Sequence, residues 1–153
     1  MIQLNTPYPA TAYLTGFLRQ HAAGLGVTVT QADASIELFL RLFSAPVLTR
    51  MAGLLRERSR HAARSEQVPD SIAHFLAEAE RYIETVEPTV RFLQRRDPSL
   101  AFRIIHRQYL PEGPRFASVD EEQVAEGFGA LGTTEQARYL ASLYVDDLAD
   151  VFR

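Results

Sequence analysis

The first 43 residues constrain this chain most, because they set up a sheet that the remainder does not continue. They run IQLNTPYP, ATAYLTGFLRQHAAGLG, VTVTQADA and SIELFLRLF, which reads strand, helix, strand, helix. The first strand covers Ile2 to Asn5, and the second is the β-branched run Val27-Thr28-Val29-Thr30. Between the first strand and its helix lies a polar, proline-flanked loop, Asn5-Thr6-Pro7-Tyr8-Pro9. Doubly wound α/β domains open this way and bind ligands beyond the carboxyl ends of their strands. From Ser44 onward, however, the apolar period is helical everywhere, and no third strand is evident. A two-stranded parallel sheet is not stable alone, since parallel sheets need several strands covered on both faces.

The expected fold is therefore mostly α with a small parallel β element. A βαβα, half-Rossmann opening over residues 1–44 is followed by a helical, bundle-like region over 45–153. The first helix starts near Ala10 or Thr11, presents Tyr13, Leu14, Phe17, Leu18 and His21 at helical spacing, and ends at Gly24 and Gly26. Asp33 or Ser35 caps the second helix, which is apolar nearly all round and is expected to be buried on more than one side. Ser44-Ala45-Pro46 opens a third helix. Pro69-Asp70-Ser71 opens a fourth, whose heptad-like run from Ile72 to Val86 is kinked or restarted at Pro88. Asp97-Pro98 starts a short helix, LPEGPRFA (110–117) is a loop, and Ser118-x-x-Glu121 and Thr133-x-x-Gln136 are capping boxes. Apolar Val151 and Phe152 at the end of the last helix suggest a sequence that continues past Arg153.

Composition narrows the function classes. All 16 basic residues are Arg, yet the net charge is −3 and the Arg side chains are spread along the sequence. That pattern fits a preference for Arg codons better than a nucleic-acid binder, which carries a basic excess. Charge is uneven: residues 50–64 are basic, while 118–153 are strongly acidic. Two solvated helix faces explain this, as does attraction within the fold or towards a partner domain. Cysteine is absent, which removes disulfides, thiol catalysis and Cys-ligated clusters from these residues. No apolar run approaches the roughly 20 residues of a membrane span, and no signal peptide is visible. The expectation is a cytoplasmic protein that engages neither nucleic acid nor membrane.

Candidate chemistry is sparse. Gly127-Phe128-Gly129-Ala130-Leu131-Gly132 matches G-x-G-x-x-G, but it follows an acidic helix and not a strand, so flexibility between helices is the better reading. The pairs Glu57/His61 and His74/Glu78 have ligand spacing without a third partner. His106 among Arg103, Arg107 and Tyr109 offers anion contact or a solvated helix end. Asp146 and Asp147 point to different helix faces and make a poor acid–base pair. The strongest candidate is the Asn5–Pro9 loop: Asn5 presents an amide, the prolines stiffen the turn, and Tyr8 offers a face for stacking. Asp33 lies on the same edge, as a second ligand contact or simply as a helix cap.

LNTPYPATAYLTGFLRQ followed by VTVTQADASIELFLRLFS resembles the start of the N-terminal, cobalamin-binding-type domain of B12-binding radical SAM proteins. The resemblance covers residues 1–44, with 45–153 read as a helical insertion or cover. It implies that Asn5, Thr6, Pro7, Tyr8 and Asp33 line a cobalamin or substrate edge. It places S-adenosylmethionine and a [4Fe–4S] cluster in downstream domains of the same polypeptide, so that these residues alone are not catalytic. No Asp-x-His-x-x-Gly is present, so a histidine ligand to cobalt is not carried over. The rival expectation is a helical protein-interaction or regulatory module with no small-molecule cofactor, whose strands dock on a partner or pair in a homodimer.

Overall fold

The computed structural model describes residue 4 and residues 9–22, 24–61, 68–119 and 132–153. Among these residues the regular structure is entirely helical. It comprises α1 (Pro9–His21), α2 (Ala34–Leu42), α3 (Ala45–His61), α4 (Asp70–Ala77), α5 (Ala79–Leu93), α6 (Leu100–Ile105), a 3-10 turn at Pro114–Ser118, α7 (Gly132–Ala149) and a closing 3-10 turn at Asp150–Phe152.

The βαβα, half-Rossmann opening and its small parallel β element are thereby corrected: no strand occurs among the described residues. Of the expected first strand only Leu4 is described. It is buried in the helical core, and its carbonyl accepts from Gln94 Nε2 at 3.4 Å. Val27–Thr30, the expected second strand, is irregular chain with Val27 60% exposed. β-Branched residues favour extended backbone, but a strand exists only through a neighbouring strand. Here the neighbour is a helix, and the Val29 carbonyl accepts from Arg19 Nε of α1 at 3.1 Å.

The second helix also departs from expectation. α2 has no fully buried residue; Phe39 and Leu42 pack partly on the core, while Leu38 is exposed. Its apolar residues lie all round, but it reaches the body on one side, through α3.

α7 is the central element, packed by α4, α5, α6 and both 3-10 turns, while α3 lies along α5. Tyr82, Val86 and Leu93 of α5 are fully buried together with Tyr144 and Leu148 of α7, Phe75 of α4 and Leu48 of α3. Burial of side chains this large is the main favourable term, at roughly 1.5–3 kcal/mol each. The heptad-like run breaks at Glu78, whose N–H bonds the His74 carbonyl, and not at Pro88. Pro88 forfeits a hydrogen bond to the preceding turn. Helix α5 runs through it because Val86, Thr89 and Val90 on its flanks are buried and hold the backbone in place.

α5 ends in a Schellman motif. Arg95 takes the left-handed conformation (φ 63°), its N–H bonds the Phe92 carbonyl, and the Arg96 N–H bonds the Arg91 carbonyl, both at 2.9 Å. At the far end of the chain, Val151 is buried and the Phe152 ring tilts against Phe43 at 5.5 Å. Their apolar character is thus explained by packing within the fold.

Candidate functional site

The residues expected to form a ligand edge are not brought together. Asn5, Thr6, Pro7 and Tyr8 lie outside the described residues. Asp33 caps α2: its Oδ1 accepts from the Ser35 and Ile36 backbone N–H groups at 3.1 and 3.0 Å. It borders a surface cleft of about 540 Å³ with Leu4, Gln31, Glu37, Gln94 and Arg96. With Oδ1 committed to the helix terminus, Asp33 is an N-cap in form and chemistry.

The remaining sequence candidates are dispersed or already partnered. No group of three metal-ligating side chains forms among the described residues. The His106 Nδ1 lies 2.6 Å from the Phe102 carbonyl, Arg103 stacks its guanidinium 4.2 Å from the Tyr109 ring, and Arg107 makes a two-pronged pair with Glu112. Of the G-x-G-x-x-G run only Gly132 is described, opening α7 at φ 81°. Ser118-x-x-Glu121 falls partly outside the described residues. No single described helix is long and apolar enough to cross a membrane.

Two features stand out that sequence reasoning did not identify as sites. The first is a partly buried polar cluster at the 3-10 turn, with Asp147 at its buried end. Arg115 donates through its backbone N–H and Nη1 to Asp147 Oδ1 at 3.3 and 3.0 Å, and through Nη1 to Asp150 Oδ2 at 2.6 Å. Asp147 is 3% exposed, and its Oδ2 has no hydrogen-bond partner among the described residues; the same holds for buried His74 Nε2. Burial raises the Asp147 carboxyl above the usual carboxylate range against the pull of Arg115, whereas the Arg115 hydrogen bond lowers that of Asp150. Above them Tyr82 and Tyr144 stack at 5.3 Å, and burial pushes both phenols well up. Thr85 Oγ1 donates to the Arg81 carbonyl at 2.6 Å and lies 3.1 Å from the Tyr144 hydroxyl, which itself points at the Tyr82 carbonyl.

Perturbed groups gathered in one place suggest chemistry, but the geometry here is that of a closed lock. A β-carbon built at Gly113 would overlap the Asp147 carboxylate, so backbone fills the space beside Oδ2 that a substrate would need. The cluster pins the Pro114–Ser118 turn to the end of α7. Its sequence signal was the i, i+3 spacing of Asp147 and Asp150, which puts both on one helix face.

The second feature is the orientation of α1. Thr11, Thr15 and Arg19 recur every four residues along one side, where only Thr15 is buried and the other two bond the chain segment that follows the helix. Thr11 Oγ1 accepts from Gln31 Nε2 at 2.7 Å, Thr15 is buried, and Arg19 bonds the Val29 carbonyl. The apolar stripe on another side of the helix is uncovered: Tyr13 is 82% exposed, Phe17 57%, and Leu14 and Leu18 are also exposed. Leu25 and Val27, just past the helix, are exposed as well. The sequence revealed the stripe; the direction it faces is the structure's contribution. Comparison of the chain with protein-family models, curated proteins and solved structures gave no match.

Proposed function

We propose that this chain is a helical protein-interaction module whose contact surface is the exposed apolar stripe of α1. The observation that carries this reading is the exposure of α1: Thr15 is its one buried residue, while Tyr13, Leu14, Phe17 and Leu18 form an apolar stripe that the fold leaves uncovered. Burying each such side chain is worth roughly 1.5–3 kcal/mol, and an amphipathic helix normally turns that face to its own core. Contiguous exposed apolar patches above a few hundred Å² mark interaction surfaces on folded proteins. The alternative of a cobalamin-type ligand edge needed strand ends to display it, and no strand occurs among the described residues, where Val27–Thr30 is irregular chain.

The test is the stability of the double variant Leu14→Glu/Phe17→Glu, measured by urea denaturation at low protein concentration. A free docking surface tolerates both changes within about 0.5 kcal/mol, as surface substitutions do. A loss of more than about 3 kcal/mol would show that the stripe packs within its own chain and would overturn the reading.

A further inference from the structure

Resting on that reading, the geometry points to a second copy of this chain as the partner, with two α1 helices packed antiparallel about a two-fold axis. Three observations carry it. The first is size. Taking ordinary side-chain areas with the observed exposures, Tyr13, Leu14, Phe17 and Leu18 present on the order of 500 Å². Two copies would then bury about 1,000 Å², the size of a small, reversible interface.

The second is self-complementarity. In an isologous interface each residue meets its symmetry counterpart. With the axis between Thr15 and Gly16, Tyr13 faces Leu18 of the second copy, and Leu14 faces Phe17. Each aromatic ring then meets an aliphatic side chain, and Ala10 at one end leaves room for His21 at the other. His21 is already stacked on Phe17 at 4.1 Å, which holds the ring in place.

The third is charge. A two-fold axis brings like charges together, so a charged residue on the stripe would oppose pairing. The stripe has none. α1 contains no acidic residue, and its one guanidinium, Arg19, is off the stripe, with its Nε on the Val29 carbonyl.

The test is sedimentation equilibrium of the whole chain from low to high micromolar concentration, with helix content followed by circular dichroism. The wild-type chain is expected to dimerise, and Phe17→Glu and Leu14→Arg are each expected to be monomeric with unchanged helix content. Mixed together, these two variants are expected to regain a dimer, because the antiparallel register sets the new carboxylate opposite the new guanidinium. A wild-type chain that stays monomeric at high micromolar concentration overturns the proposal. So does a dimer that survives Phe17→Glu, or a monomer that co-sediments with phosphatidylcholine–phosphatidylserine vesicles. Failure of the second-copy assignment is separable from failure of the docking surface: a monomer whose stability ignores Leu14→Glu/Phe17→Glu loses only the former.

Discussion

Gly113 makes room for Asp147: a β-carbon at position 113 would fall on the carboxylate, within hard contact of Oδ2 and Cγ. The backbone there is ordinary (φ −80°), so glycine is needed for space and not for conformation. Gly113→Ala must displace either the turn or a buried, hydrogen-bonded carboxylate. The expected cost is about 2–3 kcal/mol in urea denaturation, in line with overpacking of a tight interior. A variant within 0.5 kcal/mol of wild type would show that the turn is loosely held.

Asp147 and Asp150 should give opposite pH signatures although both bond Arg115. Burial raises the Asp147 carboxyl, so its contribution to stability is full below the unfolded value and is lost as pH rises through the folded one. Asp150 is lowered, so its contribution is present above the unfolded value and is lost as pH falls through the folded one. The stability difference between Asp147→Asn and wild type should therefore shift in the variant's favour from pH 4 towards pH 7. Asp150→Asn should instead lose ground as pH rises from about 2 to about 4 and change little above that. Denaturant melts from about pH 2 to 7 check both, and parallel curves would contradict the assignment.

Arg95 sits at the left-handed position of the Schellman motif that ends α5. A side chain pays a steric penalty there that glycine does not. Arg95→Gly is expected to raise stability by about 0.5–1 kcal/mol. Arg107 is also left-handed (φ 57°), but its guanidinium pairs with Glu112, so Arg107→Gly should gain less or destabilise. Thermal melts of the two variants side by side test the contrast.

Much of the helical body was legible in the sequence because its signals are local. Asp33 caps α2, Pro46 falls in the first turn of α3, Asp70 opens α4, and the run from Ile72 to Val86 carries Phe75, Tyr82 and Val86 into the core. What misled was composition without a partner. Val27–Thr30 has strand chemistry, yet no strand lies beside it among the described residues, and pairing is a tertiary fact that four residues do not encode. The restart expected at Pro88 does not occur, because burial on both its flanks outweighs a local helix breaker. The Arg115–Asp147–Asp150 lock joins residues distant in sequence, and only the i, i+3 spacing of the two carboxylates hinted at it.

The orientation of α1 bears directly on the account, and the absence of cysteine makes it simple to measure. Thr15→Cys and Phe17→Cys place single thiols on opposite faces of the helix, and each is labelled with a maleimide reagent at concentrations low enough to keep the chain monomeric. The account predicts that the thiol at position 17 reacts at least an order of magnitude faster than the one at 15. The reverse order would mean that the apolar stripe faces the body, and would contradict it.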